Sequence, residues 1–388
     1  MKKVGIMIQK LSGGGAERAA ANLSIDLSAE YEVHLIVFDG SCITYRHGGV
    51  LRDLALPART GIFQKALTLL KRIKAVRRLK KEEQFDCVLS LLAGANLVNV
   101  LSRQKERVIV SERTLTSFFI KSIWEVALEK FILRKADCVV ALSEVVRLDL
   151  IQKFKIDKNK VVTIYNSVAL DKFCFDSSVE ERDQDSPLIV TMGRLTHQKA
   201  QWHLFRAFPQ VLKVFPGARL VVLGQGQLRD AYGDFLQKLG IDRQTELKGF
   251  LPNPHSVIRT ADVFAFTSMV EGLGNALLEA LACGKAVVST DCDAGPREIL
   301  APETNPLTKT KIIEYAQYGV LVPATSNDVF DRNVIAPSQE ETLLAEAIIR
   351  LLEDRSLRRR YEEKARERVA DFSPAVITHG WVDVIEKD

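Results

Sequence analysis

The chain has 388 residues, 47% of them hydrophobic and 27% charged, which is the balance of a soluble globular protein with two or three domains. It lacks an apolar run of about eighteen residues, so we expect no membrane-spanning helix, and its first apolar segment is too short for a signal peptide. The six cysteines form no C-x-x-C pair, and we expect them to be reduced core residues of a cytoplasmic protein.

The net charge of +5 is distributed unevenly along the chain. Residues 1–170 carry 28 Lys and Arg against 17 Asp and Glu, a net charge of +11, whereas residues 171–388 carry 26 against 32, a net charge of −6. A basic half joined to an acidic half indicates two domains with different partners.

Short apolar runs alternate with helical patterns, which is typical of parallel sheets covered by helices. In the first half the pattern predicts strands over 4–8, 33–38, 87–91, 107–110, 138–141 and 161–164. The alternation restarts in the second half, with strands predicted over 188–191, 220–223, 245–247, 263–266, 286–289 and 320–322. Helices are predicted from the first glycine loop to about residue 27, and over 64–81, 276–283, 338–353 and 355–371.

The two runs of alternation predict two α/β domains, 1–170 and 185–373. The polar stretch 176–185 is the predicted linker between them. The C-terminal segment 374–388 is predicted to form a last helix.

The segment 262–300 combines a strand, a glycine-containing loop and the start of a helix. The loop carries Glu271 and is followed by Asn275, which we expect to cap the helix 276–283. Free backbone N–H groups and the positive end of the helix make such a loop a site for an anion. Glu279 lies about one turn into the helix, so the two carboxylates should face one cavity at two depths.

A loop with two cations follows the first strand of the second half. It has the sequence Gly193-Arg194-Leu195-Thr196-His197-Gln198-Lys199 and leads into a predicted helix. Arg194 and Lys199 can both reach one diphosphate, because an arginine grips oxygens bidentately and a lysine supplies a point charge.

A glycine loop also follows the first strand of the first half, where Gly13, Gly14 and Gly15 precede Glu17. A dinucleotide-binding fingerprint, G-x-G-x-x-G, would need a third glycine where the chain has Arg18. The loop therefore gives little support to an NAD-dependent oxidoreductase.

Glu271 and Glu279, with seven residues between them, resemble the E-x7-E motif of retaining glycosyltransferases of family 4. The loop 193–199 resembles that family's G-R-L-x3-K motif, which implies that Arg194 and Lys199 contact the leaving diphosphate. The resemblance also implies that Glu271 contacts the donor sugar and that Glu279 holds the ribose hydroxyls. A carboxylate suits a ribose diol because it accepts two hydrogen bonds at once.

The same resemblance implies a larger set of site residues. The catalytic residues would be Arg194, Lys199 and Glu271, and the donor-binding residues Gly14, Gly15, Gly193, Gly249, Phe250, Gly272, Leu273, Gly274, Asn275 and Glu279. Four further candidates are Glu17, Glu112, Arg113 and Arg297. Of these, Glu112 and Arg113 are near the place where many family members have a histidine that contacts the donor sugar.

The implied fold is GT-B, an α/β fold in which two Rossmann-like domains face each other across a cleft. The resemblance implies that domain 1–170 lies on the acceptor side and that domain 185–373 binds the nucleotide sugar. It also implies that the C-terminal helix 374–388 packs back on the first domain. The implied reaction moves a sugar, with retention, from a nucleotide-sugar donor such as UDP-hexose or UDP-N-acetylhexosamine to a glycan or lipid-linked acceptor. The resemblance is to bacterial enzymes of surface-polysaccharide or lipopolysaccharide synthesis. Two alternatives stay open, namely a UDP-sugar 2-epimerase of the same fold and a non-catalytic nucleotide-sugar-binding module.

No metal, other cofactor or nucleic-acid partner is expected from the resemblance. Asp291 and Asp293 form a D-x-D, the metal motif of another glycosyltransferase fold. We regard it as a coincidence, because it follows a late strand in a chain that otherwise matches the metal-free fold.

Residues 64–81 hold eight basic side chains and no acidic one. Their apolar residues recur at helical spacing: Leu69, Leu70, Ile73, Val76 and Leu79. Such a helix can lie on the anionic cytoplasmic face of a membrane, or it can bury its apolar face in the core and leave its cations in water. A second candidate patch for the membrane or the core comprises Phe118, Phe119, Ile123 and Trp124.

Overall fold

The computed structural model describes residues 1–120, 122–168, 186–325 and 329–387. The predicted linker 176–185 lies outside these ranges. The chain divides into two compact units, one comprising Met1–Ser167 with Pro374–Asp388 and the other comprising Val168–Ser373.

The first unit is a seven-stranded parallel sheet covered by helices. Its strands are β1 (Lys3–Ile8), β2 (Glu32–Val37), β3 (Val50–Asp53), β4 (Cys87–Leu91), β5 (Arg107–Glu112), β6 (Cys138–Ala141) and β7 (Val161–Thr163). They pair in the order β3-β2-β1-β4-β5-β6-β7. The connecting helices are α1 (Gly15–Leu27), α2 (Ile62–Glu83), α3 (Ala93–Leu101), α4 (Thr116–Phe119), α5 (Ile123–Lys135) and α6 (Glu144–Gln152).

Successive residues of β1 belong to two different cores. Ile6 and Ile8 are buried with Leu23 of α1, whereas Met7 is buried with Val76 of α2 and other residues of that helix layer. Both faces of the sheet are therefore covered, which is why its central strands are continuous apolar runs in the sequence.

The second unit repeats the same architecture. Its strands are β8 (Leu188–Met192), β9 (Arg219–Leu223), β10 (Thr245–Gly249), β11 (Val263–Phe266), β12 (Val287–Thr290), β13 (Glu314–Tyr315) and β14 (Val320–Val322). They pair in the order β10-β9-β8-β11-β12-β14-β13, with β13 antiparallel to β14 and the other pairs parallel. The helices are α7 (Trp202–Val214), α8 (Arg229–Leu239), α9 (His255–Ile258), α10 (Asn275–Ala282), α11 (Pro296–Leu300), α12 (Gln339–Glu353) and α13 (Arg355–Ala370).

The last helix, α14 (Pro374–Glu386), belongs to the first unit although it follows the second in the chain. Its Ile377 and Trp381 are buried in the same cluster as Leu23 of α1. Among the helices of the described ranges, α14 included, none is long and apolar enough to cross a membrane.

Every strand predicted from the apolar runs is present, with small shifts at the ends. The pattern missed β3 and β13, which are short edge strands. The residues of β3 are half or fully exposed, and so are those of β13, so neither strand needs an apolar run. The two-domain α/β architecture predicted from the sequence is confirmed.

The cysteine prediction holds for four of the cysteines that the structure describes. Cys87, Cys138, Cys283 and Cys292 are buried free thiols. Cys42 corrects the prediction, because it lies exposed in the loop after β2.

In each sheet the parallel strands bring the following loops to one edge, where ligands of open α/β sheets bind. In the first unit this edge carries the Gly13–Gly15 loop after β1 and the end of β5 with Arg113. In the second unit it carries the loops with Arg194, Gly249 and Glu271, after β8, β10 and β11.

Candidate functional site

The loop between β11 and α10 places Glu271 beside a helix N-terminus. Gly274 is the N-cap residue, with φ +99°, a left-handed conformation that glycine adopts without strain. The backbone N–H of Leu277 donates to the oxygen of Gly274 at 2.9 Å. The prediction that Asn275 caps this helix is wrong by one position, because Asn275 is already the first helical residue.

The other residues of this loop are packed against the β12–α11 loop. Gly272 and Leu273 are buried, and a Cβ atom on Gly295 would lie only 1.9 Å from the backbone oxygen of Leu273. The backbone N–H of Glu271 donates to the oxygen of Asp293 at 2.9 Å. The loop that carries Glu271 is thus fixed along its length by neighbouring backbone.

Lys199 and Glu271, both predicted to be catalytic, are in direct contact. Nζ of Lys199 and Oε1 of Glu271 form an ion pair, which joins the β8 loop to the β11–α10 loop. Nζ of Lys199 also lies 5.5 Å from the ring centroid of Phe266, within the range of a cation–π interaction. The charge of Lys199 is therefore held close to the N-terminus of α10.

Further hydrogen bonds fix the β8 loop against the loop that follows β11. Nε2 of Gln198 donates to the oxygen of Val270 at 2.9 Å, and the oxygen of Gln198 accepts from the N–H of Met269 at 2.9 Å. Oγ1 of Thr267 donates to the oxygen of Lys199 at 3.1 Å. Lys199 is therefore positioned by its backbone as well as by its side chain.

Glycines at the carboxyl ends of β8, β9 and β10 allow three loops to pack in contact. The N–H of Gly224 donates to the oxygen of Gly249 at 2.8 Å, and a Cβ atom on Gly224 would lie 2.0 Å from the oxygen of Gly193. Phe250, next to Gly249, keeps 53% of its surface exposed. An exposed ring at this edge can stack on a flat ligand such as a base.

Arg194 presents an exposed guanidinium at the same edge. Its backbone is fixed, because its oxygen accepts from Nε2 of Gln201 at 3.2 Å and from the N–H of Thr196 at 2.9 Å. In the described part of the chain its guanidinium makes no ion pair or hydrogen bond. A held backbone with an uncommitted cation suits the binding of an anion such as a diphosphate.

Glu279 lies on α10, largely buried, as the E-x7-E spacing predicted. Its Oε2 atom lies 2.9 Å from Nε2 of His255, the first residue of α9. The second glutamate of the motif is therefore within hydrogen-bond distance of a histidine at the start of α9.

Arg297 and the two D-x-D aspartates form ion pairs within the second unit. The buried guanidinium of Arg297 donates to Oδ2 of Asp291 at 2.6 Å and to Oε2 of Glu314 at 2.8 Å. Asp293 pairs with Nζ of Lys309 at 3.2 Å. The charge of Arg297 is thus paired with carboxylates of its own unit, and its contact with the donor stays a prediction.

The glycine loop of the first unit forms a helix start. Gly14 is the N-cap of α1 and Gly15 is its first residue. Glu17, in the first turn, folds back over this end, since a Cβ atom on Gly14 would lie 2.1 Å from its Oε2 atom. A carboxylate is favoured there because it lies near the positive end of the helix.

Glu112, the last residue of β5, and Arg113, which follows it, are 4% and 7% exposed. Glu112 accepts a hydrogen bond from Nδ2 of Asn96 at 2.7 Å, and Arg113 donates to Oδ1 of Asn166. Burial, together with the nearby Glu129 carboxyl, raises the pKa of Glu112 well above its usual range, and burial lowers the pKa of Arg113 to about 10. Both side chains have polar partners within the first unit, and their contact with a donor sugar stays a prediction.

Comparison with known proteins agrees with this geometry. A family model described as Glycosyltransferase Family 4 matches residues 13–172, and one described as Glycosyl transferases group 1 matches residues 175–317. An uncharacterised glycosyltransferase of Methanocaldococcus jannaschii is 34% identical over 265 residues, which cover 66% of this chain and 65% of that relative. The chain belongs to the family 4 glycosyltransferases.

A full-length relative of this glycosyltransferase occurs in Campylobacter jejuni. The N-acetylgalactosamine-N,N'-diacetylbacillosaminyl-diphospho-undecaprenol 4-alpha-N-acetylgalactosaminyltransferase is 29% identical over 399 residues, which cover 97% of each chain. Among solved structures, Anabaena HepE in complex with UDP and glucose matches with a TM-score of 0.77 at 16% identity over all of both chains. Sucrose-phosphate synthase of Thermosynechococcus elongatus matches with a TM-score of 0.79 at 19% identity, covering 99% of this chain and 98% of that one. The fold of this glycosyltransferase is GT-B.

The sequence did not single out two residues that organise the glycosyltransferase site. Gln198 precedes Lys199 inside the G-R-L-x3-K motif, at a position where any residue is allowed, so only its two contacts reveal its role. His255 lies outside every motif that we considered. In the sequence, His255 is marked only by its position six residues after Gly249, which by itself does not indicate a partner on α10.

Proposed function

We propose that this family 4 glycosyltransferase moves a sugar from a nucleotide-sugar donor to a lipid-linked or glycan acceptor, with retention of the anomeric configuration. The observation that carries the proposal is the ion pair of Lys199 with Glu271 at the start of α10, beside the uncommitted guanidinium of Arg194. These groups provide two cations, a helix N-terminus and a carboxylate within one set of fixed loops. Such a set matches a donor that has a diphosphate next to a sugar.

The relatives support a role in the assembly of bacterial cell-surface polysaccharides. The Campylobacter jejuni relative is an N-acetylgalactosaminyltransferase whose substrate is linked to diphospho-undecaprenol. Two others are the amylovoran biosynthesis glycosyltransferase of Erwinia amylovora and the lipopolysaccharide core biosynthesis glycosyltransferase of Rhizobium meliloti. We therefore propose a UDP-N-acetylhexosamine or UDP-hexose donor and a polyprenyl-diphosphate-linked acceptor.

In this mechanism the bond between the sugar and the diphosphate breaks while negative charge builds on the leaving phosphate. Arg194, Lys199 and the backbone N–H groups at Gly274 stabilise that charge, and Glu271 lies where positive charge develops on the sugar. Removing one such prearranged donor typically lowers turnover by about 10²–10³. The leaving phosphate takes the proton of the acceptor hydroxyl, so the proposal names no catalytic base.

The proposal also needs no bound metal ion. A diphosphate carries charge that other enzymes neutralise with a divalent cation, and here Arg194, Lys199 and the end of α10 supply the positive charge instead. Asp291 and Asp293 are engaged by Arg297 and Lys309, which is a reason to expect them to be poor metal ligands. Turnover should therefore persist in EDTA.

The proposed acceptor is linked to a lipid, so we expect part of the first unit to contact a membrane. The apolar side chains of α2 divide into two groups. Val76 is buried, and Leu69, Ile73 and Leu79 are partly buried against the sheet, so this part of α2 packs on the core and most of its cations, though not the buried Lys80, are left in solvent. Ile62 and Phe63, in the first turn of α2, are 90% and 83% exposed.

The first turn of α5 is equally exposed, with Ile123 and Trp124 each at 85%. Both helices begin at the carboxyl edge of the sheet, because each follows a parallel strand of the first unit. Six cations of α2 are exposed: Lys65, Lys71, Lys74, Arg77, Arg78 and Lys81. We propose that these two apolar turns and the cations of α2 contact an anionic bilayer peripherally.

Sedimentation with vesicles tests the membrane contact. The wild type should co-sediment with vesicles of phosphatidylglycerol and phosphatidylcholine, and less with phosphatidylcholine alone. Phe63→Ser and Trp124→Ser should each weaken binding, whereas Leu70→Ser, an exposed residue in the middle of α2, is the matched control. Equal binding by all variants would contradict the contact through the first turns.

A coupled assay tests the catalytic proposal. UDP release from UDP-N-acetylhexosamines should require a polyprenyl-diphosphate-linked acceptor and should fall at least about 10²-fold in Lys199→Ala. If the donor is consumed without acceptor and yields a 2-epimer, the protein is an epimerase instead. If it binds nucleotide but never turns over any donor, the catalytic proposal fails.

A further inference from the structure

Glu279 is held by a side chain from the loop that follows β10. Nε2 of His255 lies 2.9 Å from Oε2 of Glu279, and the two side chains are only 16% and 11% exposed. We infer that His255 is a positioning residue that orients Glu279 toward the ribose of the donor and so links base recognition to ribose recognition. The inference rests on the proposed function and on the ribose-binding role that the family resemblance implies for Glu279.

His255 is connected to the loop that contains Gly249 and Phe250, two of the donor-binding residues that the resemblance implies, and the exposed Phe250 ring can stack on a base. It lies six residues after Gly249, and the intervening segment includes Phe250, whose ring is exposed. Its carbonyl oxygen accepts from the N–H of Arg259 at 2.9 Å and from Sγ of Cys283 at 4.0 Å, at the end of α10. His255 therefore touches α10 at two points, Glu279 and Cys283.

A free carboxylate does not point in one direction, because its terminal torsion is broad. A hydrogen bond from His255 to Oε2 fixes the plane of the Glu279 carboxylate and thereby the direction of its lone pairs. Two ribose hydroxyls can then donate to a carboxylate that is already oriented. Preorganisation of this kind raises affinity because less freedom is lost on binding.

A purely structural role for His255 makes a different prediction. If the histidine only holds α9 against α10, its removal should weaken all nucleotides equally, or only lower the thermal stability. If it orients Glu279, its removal should weaken selectively those nucleotides whose ribose has both hydroxyls. The ratio of affinities for ribo- and 2′-deoxyribonucleotides separates these two roles.

The experiment compares dissociation constants of UDP and 2′-deoxy-UDP by calorimetry, or of GDP and 2′-deoxy-GDP if the wild type binds GDP instead. The variants are Glu279→Ala, His255→Asn and His255→Gln. Glutamine can place an amide N–H near the position of Nε2, whereas asparagine is too short to reach Glu279. Because the ratio is taken within one sample, a partly unfolded variant lowers both affinities and leaves the ratio unchanged.

The wild type should favour the ribonucleotide by about tenfold, the effect of one charge-assisted hydrogen bond. Glu279→Ala and His255→Asn should both lose this preference, and His255→Gln should keep most of it. If Glu279→Ala loses the preference while His255→Asn retains it, the inference about His255 is overturned and the proposed function stands. If the wild type binds no nucleotide, or shows no preference that depends on Glu279, the assignment of this site fails, and the inference with it.

Discussion

Replacing Lys199 with alanine should affect stability and turnover through the same ion pair. The side chains of Lys199 and Glu271 are 16% and 8% exposed, so the substitution would leave a largely buried carboxylate without its cation. Breaking a buried pair in this way lowers the free energy of unfolding by about 3–5 kcal/mol. Because Lys199 is partly exposed, we expect a loss of about 3 kcal/mol. In a unit of about 200 residues, this corresponds to a fall in Tm of about 6–12 °C.

Differential scanning calorimetry and the UDP-release assay measure the two effects on the same samples. Turnover in Lys199→Ala should fall by about 10²–10³, because a prearranged cation for the leaving phosphate is lost. The double variant Lys199→Ala/Glu271→Ala should recover most of the lost Tm, since no unpaired charge remains, but none of the turnover. An unchanged Tm in Lys199→Ala would refute the ion pair, and near-normal turnover would refute the role of Lys199 in the reaction.

Three further predictions test separate features of the structure. Arg194→Ala should weaken nucleotide-diphosphate binding about tenfold or more, as measured by calorimetry. It should leave Tm unchanged, because the guanidinium is exposed and makes no ion pair or hydrogen bond among the described residues. A large loss of Tm would contradict this. Gly224→Ala should lower stability by about 1–3 kcal/mol, because φ is +133° and the new Cβ atom would meet backbone, whereas Gly233→Ala, which meets nothing within 4 Å, is the matched control. Because burial raises the pKa of Glu112 beside Glu129, the folded state binds this proton more tightly than the unfolded state, and stability should fall as pH rises above about 4, the usual pKa of an unfolded glutamate. Glu112→Gln cannot titrate, so its Tm should fall less over that range; parallel Tm profiles would contradict the buried carboxyl pair.

The fold could be predicted from the sequence because buried parallel strands need uninterrupted apolar runs. Those runs located β1 and β11 to within a residue or two. The edge strand β3 was missed because its side chains are not buried, so no apolar pattern marks it. The position of Asn275 was misjudged for a related reason. Its identity suits an N-cap, but Gly274 can adopt a left-handed backbone and takes that place.

Side chains fixed by motifs were easier to predict than side chains fixed by packing. The two motifs that carry the family resemblance assigned Glu271 and Lys199 to one donor site, and the two side chains are in contact. For Arg113 and Arg297, the sequence showed only that each lies near a strand end. Whether such a cation faces the solvent or an internal partner depends on residues distant in sequence, such as Asn166 for Arg113 and Glu314 for Arg297.

The anomeric configuration of the product tests the proposed reaction most directly. The protein should be incubated with UDP-α-N-acetylhexosamines and a polyprenyl-diphosphate-linked sugar in EDTA, and the new linkage determined by NMR. We expect an α-linked product, formed without added metal, and at least about 10²-fold less of it with Lys199→Ala. A β-linked product, or transfer only when a divalent cation is supplied, would contradict the proposed retaining, metal-independent reaction.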